Sequence, residues 1–462
     1  MRQITRPLDP SILRAYDIRG VVPEELNEDS MFLIGRAFAA EMHAVGGTRA
    51  AVGYDGRLSS PKLEQALVDG LTASGIDVVR SGLGPSPMLY FATYLLEADA
   101  GLMITGSHNP PDFNGLKMTL KGEAFFDQDI LRLGARIDAQ DFIDGAGKSE
   151  HVDVFDRYVE RLVQDLSGMK DLKVAWDPGN GAAGAVTDAL VAKLPGEHFV
   201  INSKIDGTFP AHHPDPTVEA NLDQLKELVA REKCDLGIGF DGDGDRIGVI
   251  DQHGRVMWGD QLLALLAREV LADEPGATIL CDVKASRVFF DEIRRLGGDP
   301  VMWKAGHSHI KSKMVELKSP LAGEMSAHIF FKHRYYGYDD ALYSAIRLLS
   351  VLASGDQSLA DILDAMPKMH NTPEIRFDCA DDRKFVAVDE ITARARTMKD
   401  VTIFDMDGVR VESADGWWLL RASNTQPMLV VRCESDTEAG LERLLEEVRN
   451  QLNASDIDAS AI

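Results

Sequence analysis

Three times in this chain an apolar segment predicted as a β-strand ends on an aspartate. The copies are Ala51-Val52-Gly53-Tyr54-Asp55, Lys173-Val174-Ala175-Trp176-Asp177 and Thr278-Ile279-Leu280-Cys281-Asp282, spaced by about one α/β domain each. The surroundings of the first copy set the pattern. A strand over Arg49–Asp55 is followed by Ser60-Pro61, an N-cap with proline at the first helical position, and Ser74-Gly75 stops that helix. A strand at Ile76–Val79, a helix at Pro87–Leu96 and a strand at Ala100–Ile104 come next. Strands and helices that alternate in this way require parallel sheets covered by helices. Strand-then-aspartate is common in α/β folds, so the recurrence alone leaves related domains and coincidence both open. Beyond Pro367-Lys368 the pattern changes to short strands at Glu374–Phe377, Val401–Phe404, Val409–Val411, Trp417–Ala422 and Met428–Glu434, then a helix at Thr437–Leu452. That is an α+β pattern and marks a separate C-terminal domain.

At 462 residues and about 100–200 residues per domain, three or four domains are expected. The net charge of −25 argues against nucleic acid or an anionic membrane as partner. No apolar run reaches transmembrane length, and the start, Met1-Arg2-Gln3-Ile4-Thr5-Arg6-Pro7, has no hydrophobic stretch like a signal peptide. Cys234, Cys281, Cys379 and Cys433 form no metal-type spacing and read as buried thiols of a reducing compartment. The expected location is therefore the cytoplasm.

The strongest chemical signal is Asp241-Gly242-Asp243-Gly244-Asp245-Arg246. In an extended segment alternate side chains share a face, so three carboxylates can converge there. Clustered carboxylates repel one another unless a cation sits among them, which suits a hard metal ion. Arg246 suits an anion held beside that metal. An EF-hand is rejected: its sixth and twelfth positions would hold Arg246 and Gln252, and the flanks Leu236–Phe240 and Ile247–Ile250 read as strands.

Other loops add polar groups. Ala100–Ile104 runs into Thr105-Gly106-Ser107-His108-Asn109, and loops at the carboxyl ends of α/β strands carry sites. Gly106 is expected to let the backbone turn and present the Ser107 hydroxyl, as nucleophile or phosphate carrier; a capped turn is the other reading. Ser107 and His108 are not expected to form a dyad, because successive side chains diverge. Lys117 follows as a phosphate contact or proton donor. Lys304–Ser308 and Glu324–His328 supply histidines, a carboxylate and a hydroxyl of the kind that read sugar hydroxyls. Arg421–Pro427 has the arginine, hydroxyls and turn amides of a phosphate cradle, or of an ordinary hairpin.

Together with Arg14-Ala15-Tyr16-Asp17-Ile18-Arg19-Gly20, these loops, in this order and spacing, resemble the α-D-phosphohexomutase superfamily over essentially the whole chain, and within it the bacterial phosphomannomutase/phosphoglucomutase branch. The resemblance implies three similar mixed α/β domains (1–149, 150–255, 256–367) and an α+β, TATA-box-binding-protein-like domain (368–462) around a central cleft, the fourth domain being mobile. It implies Mg²⁺ on Asp241, Asp243, Asp245 and a phosphorylated Ser107. Lys117, Arg19 and His307 would form the acid/base neighbourhood. Tyr16, Arg246, Lys284, Glu324, Ser326, His328, Arg421, Ser423, Asn424 and Thr425 would bind a phosphohexose. The implied reaction interconverts hexose 1- and 6-phosphates of mannose or glucose through a bound hexose 1,6-bisphosphate, with glucose 1,6-bisphosphate as activator and the protein a monomer. Ala327 departs from the family's usual glycine in the sugar loop, and its methyl group is expected to tighten the loop or exclude positive φ. Gln426 is a second, milder departure. A phosphoglucosamine mutase and a non-catalytic sugar-phosphate-binding protein are the alternatives. Against the first, the chain has Ser423-Asn424-Thr425 where that branch has a Ser-Gly-Thr loop.

Overall fold

The computed structural model describes residues 4, 6–168, 170–423 and 427–459, apart from the side chain of Asp381. Asn424, Thr425 and Gln426 of the expected phosphate cradle therefore lie outside the described residues. Four sheets are present among those described.

The first three sheets share one plan. In the first, Ala100–Ile104, Arg49–Tyr54 and Asp77–Leu83 run parallel, and Phe113–Leu120 returns antiparallel beside Ala100–Ile104. The second repeats this with Leu236–Phe240, Leu172–Asp177 and Gly196–Val200 in parallel and Ile247–Asp251 returning. The third has Leu321–Gly323, Thr278–Asp282 and Asp299–Trp303 in parallel and Ile329–Phe331 returning. The recurring strands of the sequence are thus the same strand of three like sheets. Each return connection starts at the carboxyl end of a parallel strand, and these three connections hold Ser107, Asp241–Arg246 and Glu324–His328. The fourth sheet is antiparallel, in the order His370–Asn371, Met428–Ser435, Gly416–Ala422, Val409–Ser413, Thr402–Phe404, with Ile375–Asp378 also on Met428–Ser435. Helices Asp381–Ala395 and Glu438–Asn453 accompany it.

Burial divides the chain unevenly. One continuous core joins Met88 and Phe91, Tyr158, Trp176 and Phe240, and Leu265, Phe289 and Ile346, so it crosses all three α/β units. The fourth unit keeps its own core, around Trp418, Leu420, Val431 and Val448. Its seam with the third unit mixes apolar and polar contacts: Trp417 and Leu419 pack with Val283 in a small buried cluster. The fully buried Arg410 lies 3.8 Å over the Trp417 ring and donates to the carbonyls of Val283 (2.8 Å) and Ala285 (2.7 Å).

Helices Glu28–Ala44 and Ser60–Ala73 cross where both lack a side chain. A Cβ on Gly70 would sit 2.3 Å from the Phe32 carbonyl oxygen, and one on Gly35 would sit 2.6 Å from that of Leu67. Helix propensity favours alanine over glycine by about 1 kcal/mol, while overpacking costs about 1–3 kcal/mol. Both neighbours here are backbone and cannot swing aside, so Gly70→Ala is expected to destabilise by about 1–2 kcal/mol. The urea midpoint checks the sign.

Candidate active site

The aspartate run forms a tight turn between two antiparallel strands, not an extended segment. Gly244 takes φ +74°, and the Asp241 carboxylate accepts from the amides of Asp245 (3.1 Å) and Arg246 (3.2 Å). Curling, not strand alternation, brings the three carboxylates together. One ligand oxygen from each lies within 4.8 Å of the others, and all three residues are fully buried. Asp243 Oδ2 accepts from Ser86 Oγ (2.5 Å) and from Lys117 Nζ (2.7 Å), while Asp243 Oδ1 and Asp245 Oδ1 have no hydrogen-bond partner. Buried, unpaired carboxylate oxygens facing one point fit a hard divalent cation. Burial, then the charges of Asp243 and Asp245, push the Asp241 carboxyl well above the usual range. A cation bound there would remove that penalty.

The serine loop presses directly on this turn. Ser107 Oγ lies 3.0 Å from Asp241 Oδ2, and a Cβ on Gly242 would meet the Ser107 carbonyl oxygen at 2.4 Å. Gly242 is therefore needed for close approach. Gly106 has a different job from the sharp turn expected of it. The loop wraps the buried Arg57 guanidinium, and a Cβ at Gly106 would fall 2.4 Å from it. Arg57 donates to the carbonyls of Ser107 (2.8 Å), Asn109 (2.6 Å) and Phe113 (3.0 Å), and pairs with Asp55 at 3.2 Å. The sharp conformation belongs to Ser107 itself, at φ +49°. This turns Ser107 Oγ to within 3.2 Å of His108 Nδ1, so the expected divergence of the two side chains does not hold. Burial, then Arg246 and Arg19, hold the His108 imidazole well below its ordinary pKa, so it is neutral at pH 7.

Lys117 extends from the returning strand of the first sheet to Asp243 and Asp245. Burial opposes its charge, but Asp243 and Asp245 overcome it and raise its pKa well above the ordinary value. Arg19, from strand Ile18–Val21, braces the serine loop through the Gly106 carbonyl (3.1 Å) and the Asn109 side chain. Arg246 Nε donates to His328 Nε2 (3.0 Å), which leaves Nδ1 to carry the neutral ring's proton, 3.1 Å from Asp339 Oδ2. Asp339 in turn meets Lys311 Nζ at 3.1 Å. His307 opens helix His307–Leu317, its ring centroid 5.6 Å from that of His328. Burial, then Lys311, lowers its pKa well below the ordinary value.

The sugar-loop residues gather on the third sheet's connection. Glu324 accepts from the Gly306 amide at 2.6 Å, and Ser326 lies half-buried on the same loop. Tyr16 donates to the Ala305 carbonyl (3.3 Å) and packs where a Gly306 Cβ would sit. Lys284 lies 3.6 Å from both Asp282 and Glu374. Burial pushes the Asp282 carboxyl up to about 6. Arg421 pairs with Asp407 (2.9 Å), whose carboxylate also accepts from the Ala305 amide (3.0 Å), so the fourth unit ties to the Lys304–Ser308 loop of the third. The Ser423 amide donates to the Met428 carbonyl at 2.9 Å. Ala327 takes φ +68°, so its methyl group does not exclude positive φ.

Sequence reading missed Asp55, Arg57, Ser86, Asp339, Lys311 and Asp407. Asp55 alone carried a signal, as the end of the first recurring strand; the others sit in ordinary contexts and acquire their roles through packing.

Two substitutions probe this geometry. Ser86 fixes one oxygen of Asp243 and leaves the other unpaired. Ser86→Ala is therefore expected to weaken divalent-cation binding by about tenfold, as loss of a buried hydrogen bond to a charged group would. Mn²⁺ titration followed by electron paramagnetic resonance measures this, and a lowered melting temperature with unchanged affinity would refute it. At Ala327 the left-handed backbone costs about 1–2 kcal/mol, and glycine's extra chain entropy takes back about 0.5–1. Ala327→Gly should stabilise by under about 1 kcal/mol, read as a small rise in melting temperature.

Comparison with known proteins accords with this arrangement. The four Phosphoglucomutase/phosphomannomutase profiles match in order: alpha/beta/alpha domain I at residues 10–144, domain II at 156–254, domain III at 258–369 and the C-terminal domain at 374–451. The Pseudomonas aeruginosa phosphomannomutase/phosphoglucomutase is 45% identical over 449 residues, 97% of each chain. A Neisseria meningitidis phosphoglucomutase is 41% identical over 96% of each chain. The crystal structure of a Burkholderia thailandensis phosphoglucomutase/phosphomannomutase family protein superposes with a TM-score of 0.92 at 42% identity, covering 97% of this chain and 98% of that one. The chain belongs to the phosphoglucomutase/phosphomannomutase family.

Proposed function

We propose that this protein is a phosphohexomutase that interconverts the 1- and 6-phosphates of mannose, glucose or both. One observation carries the reading: a buried serine hydroxyl 3.0 Å from a fully buried carboxylate triad, on a loop rigidly clamped by Arg57. Ser107 works as phosphoserine. The phosphorus–Oγ bond breaks as a bond forms to the free O1 or O6 of the sugar, giving a hexose 1,6-bisphosphate. That intermediate turns end for end in the cleft and returns its other phosphate to Ser107. Such a transfer needs alignment and charge neutralisation more than covalent chemistry. Magnesium held by Asp241, Asp243, Asp245 and a phosphoserine oxygen would supply neutralising charge.

The chain's own groups do the rest. Arg246 faces the moving phosphoryl group, and Lys117, Arg19 and His307 surround the sugar hydroxyl proton. Arg19 keeps its proton and acts as a charge, and Lys117, held charged by Asp243 and Asp245, does the same, which leaves neutral His307 to take up the proton; His108 lies beside the serine itself. Glu324, Ser326, His328, Tyr16 and Lys284 read the sugar, and Arg421, Ser423, Asn424 and Thr425 hold the phosphate that is not reacting. Units of 1–149, 150–255, 256–367 and 368–462 divide this work, with strand Ser149–His151 reaching back into the first sheet. The separate core of the fourth unit supports its motion when the intermediate turns. Among the described residues no helix is long and apolar enough to cross a membrane. The four cysteines are free and buried, which favours a reducing compartment such as the cytoplasm; a monomer with glucose 1,6-bisphosphate as activator completes the proposal.

Purified protein should carry phosphate on Ser107, detected by peptide mass spectrometry. Ser107→Ala should lose turnover by on the order of 10⁴-fold or more with unchanged unfolding. Unphosphorylated wild type that stays inactive when primed with glucose 1,6-bisphosphate would defeat the reading. Faster turnover of glucosamine 1-phosphate than of mannose or glucose 1-phosphate would redirect it.

A further inference from the structure

A second cavity, of ≈ 560 Å³, lies apart from the serine and metal loops. Helix Ser86–Leu95 and the hairpin Phe113–Leu120/Glu123–Ala124 form one side, and helix His307–Leu317 with segment 332–338 forms the other. Its volume is that of a small-molecule site. Four tyrosines line it. Tyr94 stands 4.8 Å from Tyr336, Tyr90 stands 5.4 Å from Tyr338, and the Tyr336 and Tyr338 rings are nearly parallel at 5.7 Å. Tyr94 is 44% exposed at the cavity, so part of this aromatic surface faces solvent.

The charges around the tyrosines favour an anion. Lys318 and Lys332 line the cavity, neither with a carboxylate partner among the described residues, and Lys332 Nζ donates to the Tyr336 carbonyl at 3.4 Å. Of the two acids there, Glu316 is engaged by Lys313 at 2.5 Å, which leaves Glu123. A third lysine, Lys311, has its Nζ 4.8 Å from the Tyr90 ring centroid and 3.1 Å from Asp339 Oδ1. Lysines beside stacked tyrosines, two of them without a carboxylate partner among the described residues, describe a place for a flat ring that bears phosphate.

We infer that this cavity binds a nucleotide, its base lying on the tyrosines and its phosphates held by Lys318, Lys332 and Lys311. The site has a direct line to the reaction centre. Lys311 holds Asp339, Asp339 faces His328 Nδ1 at 3.1 Å, and His328 Nε2 accepts from Arg246 at 3.0 Å. A phosphate that draws Lys311 off Asp339 leaves that carboxylate to act on His328 alone. Because His328 reads the sugar in the proposed reaction, nucleotide binding should lower kcat/KM for hexose phosphate. This kinetic consequence rests on the mutase reading; the binding does not.

Isothermal titration of the full chain with ADP, GDP and UDP, with inorganic pyrophosphate as control, tests the inference. At least one nucleotide should bind with one-to-one saturation, and pyrophosphate should bind more than about tenfold more weakly. Tyr94→Ala and Val315→Glu, the latter at a side chain 63% exposed at the mouth, should each weaken nucleotide binding about tenfold and leave basal turnover unchanged. The inference is overturned if no nucleotide binds below about 5 mM, if both variants bind as tightly as wild type, if pyrophosphate binds equally well, or if glucose 1-phosphate competes. Binding that leaves kcat/KM for hexose phosphate unchanged overturns the relay through Lys311. If the protein proves to have no mutase activity, the titrations still decide the site.

Discussion

Burying three carboxylates at one point is the constraint on which the rest of this structure depends. In a low-dielectric interior, like charges a few ångströms apart drive one another toward the protonated form unless something compensates. The compensators come from different parts of the chain. Lys117 arrives on a strand of the first sheet, Ser86 at the start of a helix from the same unit, and Arg246 from the loop itself. Helix Ser86–Leu95 adds the favourable end of its dipole, since the Ser86 amide donates to the Asp243 carbonyl at 2.8 Å. Two of the three compensators thus come from the first unit, and the aspartate loop of the second unit is neutralised across the boundary between them.

That dependence accounts for where glycine stands. Gly242 lets the Ser107 backbone approach, and Gly181 lets its own backbone approach Gly242, where a Cβ would meet a carbonyl oxygen at 2.8 Å. Backbone against backbone is a stiff contact, and it lies beside a core that continues through all three α/β units. The fourth unit keeps its own core and meets the third through a smaller seam: Arg410 on two carbonyls, Asp407 on the Ala305 amide, and Trp417 and Leu419 against Val283. The polar part of that seam exchanges for water at small net cost, whereas opening the core shared by the three α/β units would expose a larger apolar surface.

The fold class and the chemistry-bearing loops were legible because each has a local signature. Apolar strands, caps and glycine-containing turns are written in consecutive residues, and the aspartate run is unusual enough to stand out. What was not legible depends on distance in space. Arg57 looks like any loop arginine until the serine backbone is folded around it, and Asp339 looks like any acidic turn residue until His328 lies beside it. The conformation of Ser107 also escaped, because left-handed φ is uncommon outside glycine and here is imposed by the clamp around it. Ala327 shows the converse. The unfavourable dihedral was legible as a conflict, but not its outcome, which Gly259 helps to set by leaving room for the loop: a Cβ there would meet the Glu324 carbonyl oxygen at 2.5 Å.

The three like sheets place one connection each at the cleft, and the connections have separate duties in the proposed reaction. The first carries the group that is handed over, the second the charge that makes the handover possible, and the third the recognition of the passenger. A duplicated scaffold of this type separates what a lineage can vary from what it must keep. In that reaction, changes at Glu324–His328 would retune which sugar is accepted while the Ser107–Asp241 contact stays intact, because the two lie on different copies of the same strand connection.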